Sequence, residues 1–385
     1  MDPYRLFFPL GALAAILGTL PWVTFGFGVS GFYPGLFHPD LMIGGFLFAF
    51  SAGFLMTAVP QFTGSTPCRA WELFSSGALF VGLIVASSLD DRAWFHLLSF
   101  SSLLYLVFFC AQRVATRTYE APRFFVFVGL GLLMGILGAL LLALGNIGWI
   151  ESGTVLGIAK LIYTQGMTLS LILGVGTHLL PAIWGWTDLP VQIIKVNEIP
   201  NRIKFLGPVL GLASLLLASF LIEVKWSQQA GWSLRAALVT YLALSQWKIL
   251  RKPKAKGKIA FWLWISAWAL LIGLWAPVLA PAFWVHGTHI AFIGGFGLMT
   301  FMVASRVTLA HGGYGHHVDL RSRRLTTSAV LMLIAAFTRA LAPLMPQTYL
   351  HHLAYAAVLW ILAIVLWSTV FVSKMIWLKG QPVAH

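Results

Sequence analysis

Apolar runs of about the length a bilayer demands recur from one end of this 385-residue chain to the other, broken only at short segments of Pro, Gly, Asp and clustered cations. A hydrocarbon core of about 30 Å needs about 20 helical residues. Inside it no water is available to bond free backbone groups, and an α-helix satisfies its own. The runs fall near residues 6–28, 40–62, 71–89, 93–111, 123–146, 152–183, 204–222, 229–249, 259–280, 284–310, 325–343 and 349–374. With 59% hydrophobic and 9% charged residues, the chain cannot cover a soluble globule with polar surface. The expected fold is all-α integral membrane, with about 12 transmembrane helices in one bundle and residues 1–385 as a single polytopic domain. The first run lacks a small-residue cleavage site and reads as a retained helix. The sixth is too long for one straight helix and contains Gly174, Gly176 and Pro181, which predicts a kink or interfacial turn near His178. Cys68 and Cys110 are too few and too poorly spaced for a disulfide framework and read as packing residues.

The cations set the expected orientation. With a cytoplasmic N-terminus, 19 of the 25 Lys and Arg residues fall on the cytoplasmic side and only Arg92 and Lys225 on the other. Lys160, Arg235, Arg306 and Arg339 lie inside spans. The positive-inside rule therefore predicts that both termini are cytoplasmic. The net charge of +14 needs no nucleic-acid partner, because loop cations facing a lipid bilayer account for it. The 251–258 run reads as a cytoplasmic anchor.

This topology sorts the histidines by depth. His38, His96, His286, His289, His351 and His352 come out near the outer face, and His178, His311, His316 and His317 near the inner one. His289 and His311 are 22 positions apart on one span, about 33 Å at 1.5 Å per residue, so one helix would serve two separate sites. Polar residues at membrane depth are costly, so a set at one depth is a functional-site hypothesis. The spans offer almost no carboxylates and no thiolate pair, which leaves neutral imidazole as the donor and suits haem iron, copper or zinc. Facing helices can clamp a haem iron between imidazoles, and Gly44, Gly45, Gly53, Gly287, Gly294, Gly295 and Gly297 are expected to give the macrocycle clearance. Lys160, Arg235 and Arg339 fall in the outer halves of their spans as candidate partners for haem propionates, with Arg306 an inner one. His286 is one turn from His289, as a second ligand, a copper ligand or a polar partner. His96, His316, His317, His351 and His352 read as interfacial residues bonded to water or a carbonyl. Trp71, Trp149, Trp184, Trp232 and Trp284 read as an aromatic belt.

Two segments carry a family likeness. His38-Pro39-Asp40-Leu41-Met42-Ile43-Gly44, with 52–64 from Ala52 to Gly64, resembles the second-helix signature of the NnrS family. His289, Met299, Arg306, Val307, Leu309, His311 and Gly312 fall at the spacing of its other signature. The resemblance implies a bacterial inner (plasma) membrane protein holding haem and copper, whose genes accompany the nitric oxide and denitrification response. Family members commonly carry a second histidine and a glutamate where this chain has Asp40 and Leu41, and an arginine where it has His178.

On this basis one or two haems of b type are expected, with copper as a further metal. The outer haem is held by His38 and by His289 or His286, and an inner centre by His178 and His311. Such centres would pass electrons across the bilayer from a quinol or protein donor, and an iron with an open position would bind nitric oxide or another small diatomic ligand. If the chain is an enzyme, it is a haem-dependent oxidoreductase acting on nitric oxide, although the scarcity of buried Asp and Glu argues against a dedicated proton channel. The alternative is a transporter of haem, metal or a small anion, because about 12 spans also suit a carrier. A metal-free membrane chaperone for partner oxidases is a third reading.

Overall fold

A computed structural model describes residues 2–186, 195–196, 201–314 and 317–376, and these are helical with no strand among them. Twelve principal helices follow one another: α1 Pro3–Gly26, α2 Phe37–Thr63, α3 Ala70–Ser88, α4 Arg92–Ala115, α5 Phe125–Asn146 and α6 Gly153–Ile183. The second half contains α7 Arg202–Lys225, α8 Gln228–Leu242, α9 Lys258–Leu279, α10 Pro281–His311, α11 Arg323–Leu344 and α12 Pro346–Ile376. Eleven of them are long and apolar enough to cross a membrane. The exception to the expected 12 is α8, whose 15 residues run on into a five-residue π-helical stretch, Ala243–Trp247. It has the length of a span, but Gln228, Gln229, Arg235 and Gln246 keep its hydropathy low.

Sequence caps start many of these helices. Asp91, Ser152, Asn201, Ser227 and Ser322 each accept a backbone N–H from the first turn, satisfying donors that have no partner within the helix. Inside a bilayer, close packing of small residues then holds helices together. The glycines expected to clear room for a macrocycle serve that packing instead. A Cβ on Gly53 would meet Phe7 and Phe8 at 2.9 and 3.0 Å, one on Gly295 the Leu270 backbone at 2.9 Å, and one on Gly297 the Trp360 ring at 2.5 Å. Gly44 likewise abuts Tyr163, Phe95 and Ser99; Gly45 abuts Ala14, Gly287 abuts Ala276, and Gly294 abuts Ala269.

The helices pack largely in chain order, and α12 closes the ring against α1. Three lie at its centre. The most apolar windows of α2, α6 and α10 are 89%, 67% and 61% buried, against 56% or less in the other eight candidate spans. They recur every fourth helix, and each packs on the helix before it: α2 on α1, α6 on α5, α10 on α9. Each also contains a π-helical stretch: Leu41–Leu47, Ile162–Gly166 and Ile290–Gly297. Such stretches re-aim side chains by one residue and concentrate at functional sites. Those in α2 and α10 share the tetrapeptide Ile-Gly-Gly-Phe, at 43–46 and 293–296. These shared features recur at intervals of four helices.

Two local expectations are corrected. The helix α6 continues through Pro181 to Ile183, and its irregularity lies at 162–166, not near His178. Trp184 and Trp232 are 0% and 2% exposed and belong to the core, whereas Trp71, Trp149 and Trp284 are exposed.

Candidate functional site

His38 stands in the first turn of α2, three residues before its π-helical stretch, and His289 immediately before that of α10. The two central helices thus deliver their histidines to the same end of the bundle. Each ring is anchored through Nδ1: His38 Nδ1 donates to the Gly18 carbonyl at 3.0 Å, and His289 Nδ1 donates to the Val285 carbonyl at 2.6 Å. A carbonyl oxygen only accepts, so Nδ1 carries the proton in both rings and Nε2 keeps its lone pair. This is the tautomer and the anchoring that metal-bound histidines adopt.

Arg339, from the last turn of the α-helical part of α11, completes the cluster. It is an electrostatic neighbour of both His38 and His289, and His38 and His286 are themselves neighbours of His289. Nη1 of Arg339 donates to His286 Nδ1, which puts the proton of that ring on Nε2. His286 also meets the Tyr349 ring edge-on at 5.7 Å. Of the alternatives for His286, this geometry matches the polar partner. The other neighbours of Arg339 are the phenols of Tyr33 and Tyr349. No carboxylate among the described residues pairs with it. Two imidazoles with free Nε2 atoms beside an uncompensated guanidinium form a donor set for a ligand that is both metal-bearing and anionic, as a haem is.

A second polar cluster at the same end escapes the sequence reading. Asp40, two residues after His38, accepts from Arg92 Nε at 3.0 Å, and its other oxygen lies 3.5 Å from His96 Nε2. His96 is fully buried, with Nδ1 2.8 Å from the Arg92 carbonyl and 3.1 Å from Asn146 Nδ2. Tyr163, in the π-helical stretch of α6, donates to Ser99 at 3.1 Å, and its ring lies 5.7 Å from that of His96. The cluster joins α2, α4, α5 and α6 beside the turn that carries His38. A carbonyl contact was expected for His96, but its burial was not. The only sequence signal is the cation at Arg92, one turn before it and alone among the first residues of the spans at that end.

The other expected site residues lie elsewhere. Arg235 is 0% exposed and committed within the protein: Nη2 donates to Glu223 at 2.5 Å, Nη1 to Gln165 at 3.0 Å and Nε to Ser219 at 3.3 Å. Its guanidinium also lies over the Phe220 and Trp232 rings. It therefore ties α8 to α6 and α7 and is not free to meet a propionate. Lys160 is exposed on α6. At the opposite end, the His311 ring lies 5.7 Å from that of Tyr4 and its Nδ1 accepts from Gln61 Nε2 at 3.4 Å, while His178 meets Phe62 edge-on at 5.0 Å. The two imidazoles flank adjacent residues at the end of α2 without touching one another. Arg306 is half-buried on α10 and, among the described residues, pairs with no carboxylate. His316 lies outside the described residues.

Between the two ends, α2, α6, α10 and Phe8 border an open recess of about 90 Å3, lined by Phe50, Leu55, Leu171, Val175 and Val303 among others. Its wall is almost wholly apolar. Among the described residues, no three of His, Cys, Asp and Glu converge into a metal-holding group. No curated protein matches the chain. A family model described as NnrS protein matches residues 1–377. That match spans all twelve helices and both histidine-bearing segments, and this multi-pass membrane protein belongs to the NnrS family.

Proposed function

We propose that this protein is a membrane haem protein of the nitric oxide response, in which His38 and His289 clamp one haem of b type near the outer face. The anchored Nδ1 atoms of these two rings, which leave Nε2 free on both, carry the reading. Arg339, held by its bond to His286, would meet a propionate carboxylate. Bound haem would supply an iron able to exchange electrons and to bind a small diatomic ligand. The chain's own residues fix the two rings, neutralise the anionic edge and exclude water. His178 and His311 are the donors of a second, inner centre, with Arg306 on the same helix as His311. Copper has weaker residue support, because the described residues gather no three-donor set.

The remaining features agree with this reading. With α8 counted as a span, the reading takes twelve spans, places both termini in the cytoplasm by the positive-inside rule and the protein in a bacterial inner membrane, and takes a quinol or protein as electron donor. Anchored histidines on two central helices, brought to one end of the bundle, support a cofactor-holding bundle over the carrier reading.

The test is the visible absorption spectrum of the purified protein from haem-replete cells, before and after nitric oxide. A Soret band that His38→Ala and His289→Ala each abolish at the outer centre, and that exogenous imidazole restores, is the expected result. Haem-free protein from such cells sinks the proposal.

A further inference from the structure

At the opposite end of the bundle from His38, the linker before α9 forms one wall of a crevice that the haem reading does not use. The crevice is open on one side, has a volume of about 500 Å3 and is lined by Lys252, Pro253, Ala255, Lys256, Gly257 and Lys258, by Phe261, Trp262 and Trp264 of α9, and by Thr326 of α11. We propose that it binds the phosphodiester headgroup of one anionic phospholipid, with the lysines on the phosphate and the α9 aromatics against the glycerol and upper acyl chain.

The linker is pinned to the bundle. The N–H groups of Lys254 and Ala255 both donate to the Trp184 carbonyl, at 2.8 and 3.1 Å, and Lys254 Nζ lies 4.7 Å from the centroid of Trp186. On the other wall, Trp264 Nε1 donates to the Ile249 carbonyl at 2.7 Å, which fixes that indole. The crevice is thus a built concavity between the linker, α9 and α11.

Its chemistry is cationic at the mouth and aromatic along the lipid side. Lys252 and Lys256 are exposed, and no carboxylate among the described residues pairs with Lys252, Lys256 or Lys258. Lys258 Nζ donates to the Ser322 carbonyl at 3.1 Å, which leaves two of its three protons for an anion. Asp319, an acid among the described residues here, is 8% exposed; it accepts the Ile259 N–H at 2.8 Å, so it caps α9, and its carboxylate packs against Gly257. Phe261 is 47% exposed although it lies one turn into a membrane-crossing helix, as expected of a side chain in contact with lipid. Unpaired cations with amphipathic rings at a membrane boundary match the chemistry of an acidic lipid headgroup, and basic pockets between transmembrane helices recognise such headgroups. Free inorganic phosphate shares the anion chemistry but has no use for the aromatic wall.

The experiment uses the full chain in mild detergent and native mass spectrometry, with phosphatidylglycerol, phosphatidylcholine of the same acyl chains, and inorganic phosphate as probes. Phosphatidylglycerol is expected to remain bound where phosphatidylcholine dissociates, with millimolar phosphate failing to displace it. Each lysine near an anionic headgroup contributes about a five-fold gain in binding, so Lys252→Gln with Lys256→Gln weakens retention roughly 25-fold. Lys204→Gln with Lys374→Gln, at the same end but outside the crevice, leaves retention unchanged. Equal loss in both double variants makes the effect diffuse surface charge and overturns the proposal. Displacement by inorganic phosphate, or equal retention of the two lipids, overturns it as well.

Discussion

Arg339→Met separates two quantities that usually move together. The guanidinium lies beside His38, His286 and His289 with no carboxylate partner among the described residues, so without an anionic ligand it is a desolvated, uncompensated charge. Removing it relieves a penalty that, for a partly buried cation, is about 2 kcal/mol, and forfeits the bond to His286, about 1 kcal/mol. The apoprotein is then expected to gain about 1 kcal/mol. With haem present the balance reverses. A charge-assisted bond to a propionate contributes about 1.5–3 kcal/mol, so the variant binds haem roughly 10- to 150-fold more weakly. Haemin titration followed at the Soret band gives the affinity, and thermal unfolding of the haem-free protein in the same detergent gives the stability. Opposite signs are the signature. A variant whose apoprotein is less stable and whose haem affinity is unchanged refutes the assignment of Arg339 to the ligand's anionic edge.

Other substitutions probe the remaining features. If the inner donors hold a separate centre, His178→Ala and His311→Ala each remove one spectral component and spare the other; loss of all haem from His178→Ala alone contradicts independent centres. Glu223→Leu strands the fully buried Arg235 and is expected to destabilise the protein by about 3–5 kcal/mol, whereas Glu223→Leu with Arg235→Met regains most of that loss, which a double-mutant cycle by denaturant unfolding would measure. Gly44→Ala drives a methyl group against Tyr163 and Phe95 and is expected to cost about 1–3 kcal/mol by the same assay; a neutral outcome would mean that α2 and α6 are not locked together there.

Much of the architecture is written locally. A bilayer imposes a length and an apolarity on every span, so runs such as 125–146 identify themselves without reference to any partner. The helix α8 shows the limit of that logic: Arg235 lowers its hydropathy, and only Glu223 and Gln165 on neighbouring helices explain how the cation is accommodated. His38 and His289 were legible because imidazole at membrane depth is costly and their depths matched. The sequence did not show that Gly18 and Val285 orient the two rings, that Arg339 engages His286, or that His96 lies buried against Asp40. Three of those relations join residues 20 to 56 positions apart, and no periodicity encodes them.

By itself, then, the sequence determined the helical membrane class, the approximate ends of the spans and the histidines worth attention, because each follows from the solvent a segment must face. The tertiary structure decided which helices are central, which cations are already neutralised and which ring nitrogen is free. Arg235 and Arg339 look alike in the chain, a single cation within an apolar stretch. One meets a glutamate and the other a histidine, and only packing distinguishes a structural ion pair from a charge left for a ligand.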